Sequence, residues 1–326
     1  MECKKLSIIG SGRFATIWSG LYGPDKAAIK TYDEKYADDY WHELAVLTSL
    51  GFKTCKNGAY RDHVCRLLGA PKVGHELCTP LGKMDLYRLT EEASAKLAFD
   101  VQCDIIDQIT KGLAYIHANG YIHADLKAEN VIVEQTIEAI QAGEEPRLFI
   151  CDFNSAIKKP SKKTGHDVLC TIDTAAPEVL LDGPVTEKID IWALGCIIFE
   201  IFTGAELFIS DNEEDAEDDC YGMPPLYVNY TLTCISELLG DLPREMRDYG
   251  GARKYFTKEG KIRHSPQIEE ASAVEELTEE IREATKVSVK EKVAMVLKCI
   301  KYRPQDRPSA TDLLKGKKKN VIKSKK

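Results

Sequence analysis

Apolar positions recur along this chain with two periods, and the change from one to the other divides it. Over roughly the first 80 residues the apolar runs are short and rich in β-branched residues. Leu6 to Ile9, Thr16 to Gly20, Ala27 to Ile29, Cys65 to Gly69 and Glu76 to Cys78 each predict a strand. One stretch differs: in Asp38 to Leu50 the leucines 44, 47 and 50 recur at spacings of three, which predicts a helix with that face inward. Thr79-Pro80-Leu81-Gly82 predicts a connector, because proline cannot continue a central strand. Helical spacing then dominates, over Met84 to Leu89, over Ala93 to Asn119, and in a run from Asp190 that is apolar almost all round and so predicts a buried helix. Within this part, Val131-Ile132-Val133 and Arg147 to Cys151 predict a two-stranded ribbon, with Glu134 to Pro146 as its polar loop. The expected class is α+β: a small β-rich lobe, residues 1–80, then a larger helical lobe, residues 81–314.

Length and composition fit that picture. A chain of 326 residues is long for one small core, and 44% hydrophobic residues is a globular fraction. A net charge of −8 gives no overall attraction to nucleic acid or an anionic membrane. The longest apolar run, Ile191 to Phe202, is too short to span a bilayer and carries Glu200. The first residues hold no secretory apolar segment, so an intracellular location, cytoplasmic or nuclear, is expected. Eleven cysteines are scattered with no Cys-x-x-Cys pair, which predicts reduced thiols rather than a disulfide framework or a zinc site.

Candidate chemistry concentrates in one loop, His123-Ala124-Asp125-Leu126-Lys127-Ala128-Glu129-Asn130, between a predicted helix and a predicted strand. It offers an acid that accepts a proton, a cation that neutralises charge and an amide that binds a metal, which is what phosphoryl transfer needs. Asp152, at the end of an apolar strand opposite Asn130, completes an all-oxygen magnesium site. In the β-rich lobe, Gly10-Ser11-Gly12 lets the backbone fold tightly over phosphates; a strand follows it, which excludes a dinucleotide fold or a Walker loop. Lys30 ends a strand, and Glu43 lies thirteen residues on in the predicted helix, placed to hold it.

Further motifs follow in order: Asp152-Phe153-Asn154, Ala175-Ala176-Pro177-Glu178, Asp190 to Gly195, and Arg307, a partner for Glu178. Together these resemble a eukaryotic-type protein kinase catalytic domain from Gly10 to Arg307. The resemblance implies the bilobal kinase fold, ATP and Mg²⁺, and protein substrates. It implies that Gly10, Ser11 and Gly12 cover the phosphates and that Lys30 with Glu43 positions them. Asp125 would take the substrate hydroxyl proton, Lys127 would neutralise the transferred phosphoryl group, and Asn130 and Asp152 would hold magnesium. Ile17, Ala28 and Ile132 match the positions that sandwich adenine, and Thr79 the residue at the back of that pocket. Lys127 resembles serine/threonine kinases more than tyrosine kinases, and Thr171 sits where such kinases place a threonine touching the aspartate and the lysine. Leu77 to Pro80, Asp85 to Tyr87 and Thr171 to Val179 are similar to herpesvirus-type serine/threonine kinases, a viral affinity.

The chain departs from the family pattern at three positions. Ala15 replaces a third loop glycine. Asn154 replaces a glycine; asparagine accepts left-handed backbone angles better than most residues, so the turn remains feasible, and it is expected to stiffen the segment and disfavour outward flips of Phe153. Ala124 replaces an arginine that grips a phosphate on the activation segment. Activity is therefore expected not to need phosphorylation of that segment, Ser155 to Thr174, at Ser161, Thr164 or Thr171. A pseudokinase scaffold is the alternative, although Lys30, Asp125 and Asp152 are all present. Two acidic stretches, residues 211–219 and 269–284, are candidate docking surfaces, the first suited to basic substrates, as are Asp85 and Glu129 near the cleft. The lysine-dense tail, residues 315–326, is expected to be a solvated tail, a nuclear import signal or a weak nucleic-acid contact.

Overall fold

The structure, a computed structural model, describes residues 3–52, 58–71, 74–208, 225–263, 278–279, 281–282 and 288–317. The acidic stretch 211–219, most of 269–284 and the tail beyond 317 lie outside the described residues.

The chain opens with strands β1 (Cys3–Ser11), β2 (Ala15–Tyr22) and β3 (Asp25–Tyr32), then helix α1 (Ala37–Phe52) and strand β4 (Glu76–Pro80). The four strands form one antiparallel sheet in the order β1-β2-β3-β4. Leu47 and Leu50 are buried and Leu44 packs against the core, as the spacing of three required.

Two expectations in this lobe need correction. Cys65 to Gly69 is not a strand. Cys65 N–H donates to the Ile150 carbonyl in the other lobe (2.8 Å), while Leu68 and Gly69 bond to Cys78. The two ends of the run serve different sheets, so no continuous ladder forms. Thr79 and Pro80 are strand, not connector: they pair with Ala28 and Ala27. Proline is tolerated there because it ends an edge strand, and the connector begins at Leu81.

Met84 and Asp85 form a short strand, β5, rather than the start of a helix, and β5 pairs with Val133 and Ile132. The side chain of Asp85 then caps α2 (Leu86–Ala93) by accepting the Arg88 N–H at 2.8 Å. The predicted helix from Ala93 is broken at residues 94–98 and resumes as α3 (Phe99–Ala118), whose Ile105, Ile109, Leu113 and Ile116 form a buried stripe. After β6 (Tyr121–Ile122) comes the polar loop, then β7 (Val131–Val133), α4 (Ile137–Gln141) and β8 (Leu148–Ile150). The ribbon is thus three-stranded, β5-β7-β8, and its loop carries α4, capped by Thr136.

Strand β9 (Ile157–Lys158) pairs with β6 and leads to α5 (Pro177–Leu180) and α6 (Lys188–Thr203). Every residue of α6 from Ile189 to Phe202 is buried, so this helix is the axis of the larger lobe. Helix α7 (Pro225–Leu239) meets α5, α8 (Val289–Cys299) packs on α6, and α9 (Ala310–Lys317) packs on α3.

Glu178 on α5 meets Arg307 in a bidentate pair, 2.6 and 2.7 Å, with both side chains fully buried. The remaining guanidinium hydrogens go to the carbonyls of Lys188, Lys301 and Tyr302, and the group lies 5.0 Å from the Trp192 ring centroid. No proton of the fork is wasted, the condition under which a buried pair holds. Glu178→Ala should therefore cost about 3–5 kcal/mol of folding stability by leaving a buried guanidinium unpaired. Chemical denaturation measures it, with the exposed pair Arg88–Glu92 as a control whose loss leaves the midpoint in place.

Candidate active site

Paired residues in a sheet point to the same face, and residues two apart on a strand do so as well. Lys30 pairs with Ile17, and Ala28 pairs with Thr79, so Ile17, Ala28, Lys30 and Thr79 share one face of the β1–β4 sheet. Ile132 approaches from the other lobe beside Gly82, where an added Cβ would come within 2.1 Å of the Ile132 Cγ2. Only glycine lets the connector lie that close. At Gly10 and Gly12 an added Cβ would meet nothing nearer than 3.7 Å, so the local fold does not demand glycine there and leaves open space beside the backbone. Ser11 pairs with Thr16 at the end of β1.

Glu43 is the hub of the cleft. Its Oε2 accepts from Lys30 Nζ at 3.0 Å and lies against the Tyr32 hydroxyl, while its Oε1 accepts the Phe153 N–H at 3.0 Å. Lys30 Nζ also donates to Asp152 Oδ1 at 2.9 Å, so one ammonium joins both lobes. Burial alone would lower the Lys30 ammonium, but the Glu43 and Asp152 carboxylates outweigh it and raise it above its ordinary range. Burial likewise works to raise Asp152, and the Lys30 charge and hydrogen bond overcome it and hold that carboxyl low. The Tyr32 hydroxyl lies 2.8 Å from the Asn154 side-chain amide, and burial followed by the Glu43 charge keeps it protonated. Phe153 is fully buried beside His123, ring centroids 5.2 Å apart. The left-handed backbone of this segment falls on Asp152 (φ 61°), so the turn does not call on Asn154's tolerance of such angles.

The polar loop is held from below. Asp190 on α6 accepts the N–H groups of His123 (2.8 Å) and Ala124 (2.9 Å) and the imidazole of His117 (2.7 Å). Ala124 is buried and left-handed, φ 69°. Asp125 Oδ1 accepts from both the N–H and the hydroxyl of Thr171, each at 2.9 Å. Asn130 donates its amide to the Asp125 carbonyl at 2.8 Å, leaving its side-chain oxygen as the atom for a cation. With the Asp152 carboxylate it makes two hard oxygen donors, which suit magnesium completed by phosphate and water. Among the described residues no group of three His, Cys, Asp or Glu side chains could hold a metal unaided. Lys127 pairs with Glu129 at 3.6 Å, so of the two contacts expected of Thr171 the structure makes the one to the aspartate.

The spacing of motifs did not single out Tyr32 or His117. Tyr32 was within reach, since it lies two residues after Lys30 on the same strand face.

With this geometry, the comparisons are unambiguous about class. The family model described as protein kinase domain matches residues 3–317, and the chain belongs to that family. It is similar to mitogen-activated protein kinase kinase kinase 13 of Mus musculus, 27% identical over 235 residues, covering 72% of this chain and 22% of the relative. A probable serine/threonine-protein kinase of Dictyostelium discoideum is 30% identical over 202 residues, 60% of this chain and 29% of the relative. Cyclin-dependent kinase F-3 of Oryza sativa subsp. japonica is 34% identical over 156 residues, 47% and 34% respectively. The chain spans about a fifth to a third of the length of these relatives. Among the described residues no helix is long and apolar enough to cross a membrane.

Beside the loop lies a buried carboxyl, Glu200, which accepts from the Thr90 hydroxyl at 2.8 Å. Burial, with Glu129, Glu206 and Asp85 adding negative charge nearby, pushes it up to about 8. The native state therefore keeps a proton that the unfolded chain releases near pH 4.3. Stability should fall as pH rises from 5 to 8, by at most about 1.4 kcal/mol per pH unit from this group. Glu200→Gln should flatten that slope in denaturation midpoints measured across the range.

Proposed function

We propose that this chain is an active protein serine/threonine kinase, transferring the γ-phosphoryl group of ATP to hydroxyls of protein substrates. The observation that carries the reading is Lys30 held by Glu43 at 3.0 Å and Asp152 at 2.9 Å at once. A scaffold freed from catalysis has no need to keep a cation, two carboxylates and Asn130 in one cleft. In this reading Lys30 meets the α- and β-phosphates, Asp125 takes the proton of the attacking hydroxyl, and Lys127 leaves Glu129 to meet the transferred group. Magnesium, held by Asn130 and Asp152 when bound, neutralises charge on the phosphate oxygens. Ile17, Ala28, Thr79 and Ile132 enclose the adenine. Thr171, donating twice to Asp125, favours serine/threonine over tyrosine substrates. Asp85, Glu129 and Glu206, gathered beside the loop, favour basic ones.

The activation segment is tied without a phosphate. Gly165 N–H donates to the Gly183 carbonyl at 3.0 Å, His166 N–H to Asp182 at 2.8 Å, and Val185 N–H to the Lys163 carbonyl at 3.2 Å. Lys159 meets Glu187 at 3.5 Å. These contacts supply the order that an arginine at position 124 would draw from a phosphate, and they support activity independent of phosphorylation there.

Transfer from labelled ATP to a basic protein tests the enzyme. Asp125→Asn should lose about 10²–10⁴ in rate, and Asp152→Asn at least as much, with both variants folded by thermal melt. Equal silence of wild type and variants would replace this reading with a nucleotide- or partner-binding scaffold. A second protein, with alanine at Ser155, Ser161, Thr164 and Thr174 and with Thr171 kept, should transfer phosphate at close to the wild-type rate. A folded but inert product would show that the segment needs modification after all.

A further inference from the structure

At the outer end of the β1–β4 sheet, two sulfurs lie in contact: Cys3 Sγ is 2.7 Å from Cys78 Sγ. The two residues stand 75 apart in sequence, on strands at opposite edges of the sheet, β1 and β4. A flat sheet would keep those edges well apart, so the curl of this one brings them together. The meeting is in register. Two residues further along β1, Lys5 Nζ reaches Glu76 at 2.5 Å, two residues back along β4. Residues two apart share a strand face, so the thiol pair and the ion pair are successive rungs of one antiparallel side-chain ladder. Lys5 is seated 5.6 Å from the Trp18 ring centroid, which fixes the rung from beneath.

The surroundings make the two thiols unequal. Cys78 is fully buried among Ala27 and Ile29, with Trp18, Tyr22 and Leu68 packed against the cluster. Cys3 is half-buried and reachable from solvent. We infer that Cys3 and Cys78 form an oxidisable dithiol that a hydroperoxide converts to a disulfide joining the edges of the sheet. The Cys3 thiolate attacks an oxygen of hydrogen peroxide; the O–O bond breaks, leaving a sulfenic acid on Cys3, and the expelled hydroxide takes the proton the thiol gave up and leaves as water. The Cys78 sulfur then attacks the Cys3 sulfur, the S–O bond breaks, and a second water leaves with the Cys78 proton. Two thiols lose two electrons, peroxide gains them, and one S–S bond forms. A thiol or dithiol reductant reverses the step, so the bond acts as a reversible clasp. Thr79, next to Cys78, faces the nucleotide side of the same strand, so the clasp borders the adenine pocket from behind.

The test is independent of phosphoryl transfer. The full chain is treated with hydrogen peroxide, remaining thiols are alkylated, and non-reduced peptides are mapped by mass spectrometry. The expected product is a peptide joining Cys3 to Cys78 within one chain, reversed by dithiothreitol, with a thermal midpoint several degrees above the reduced form. Cys3→Ser, a near-isosteric change at the half-buried rim of the Ala27–Ile29–Cys78 cluster, should fold normally, lose the linked peptide and lose the shift. Glu76→Gln keeps both thiols but breaks the neighbouring rung, and should slow formation of the linked peptide several-fold. The inference is overturned if folded protein gives no Cys3–Cys78 peptide. It is overturned equally if Cys3 proceeds to the sulfinic acid with Cys78 still a free thiol, or if Cys3 links only to a second chain.

Discussion

One buried carboxylate sets the geometry on which the rest of the cleft depends. Asp190 begins the most deeply buried helix of the molecule and accepts the backbone of His123 and Ala124. An alanine in left-handed backbone costs about 1–2 kcal/mol, and two hydrogen bonds to a desolvated charge are enough to hold it. Burial works to raise the Asp190 carboxyl, but the His117 hydrogen bond and charge, together with the His123 N–H, keep it low and ionised. The loop is therefore placed by the core of the larger lobe, and Asp125 and Asn130 inherit that position.

The second frame comes from the smaller lobe. Glu43 ties α1 to β3 through Lys30 and to the Asp152 segment through Phe153. These ties cross between lobes, so the buried Phe153 ring and the bridged ammonium describe one closed arrangement rather than two local contacts. Tyr32 adds a hydroxyl between Glu43 and Asn154, where the replaced glycine would offer no side chain. The expectation that Asn154 stiffens this segment thus has a physical counterpart in a side-chain contact.

Much of this was legible from the pattern of residues. A lysine ending an apolar strand and a glutamate thirteen residues later in a helical stretch can meet only if the helix packs on the sheet, and they do. Arg307 was also named as a partner for Glu178, although its own run, Arg303 to Pro308, is polar and gives no sign of the burial that makes the pair matter. What pattern does not encode is which neighbour a backbone bonds. Cys65 to Gly69 has the composition of a strand, yet its two ends are claimed by different lobes. Met84 and Asp85 have helical spacing, yet Val133 and Ile132 lie close enough to pair with them. The fold of each lobe was readable; the seams between sheets were decided by tertiary packing.

The Glu178–Arg307 fork has a consequence for how the protein comes into being. Its two halves lie 129 residues apart. At about 5–20 residues per second, the carboxylate is made roughly 6–26 s before its partner. Until then Glu178 has only water to satisfy it, and α5 cannot seat against α6 without burying a bare charge. The larger lobe must therefore wait, loosely assembled, until Arg307 is made, and a nascent chain cut short before it can bury Glu178 only without its partner.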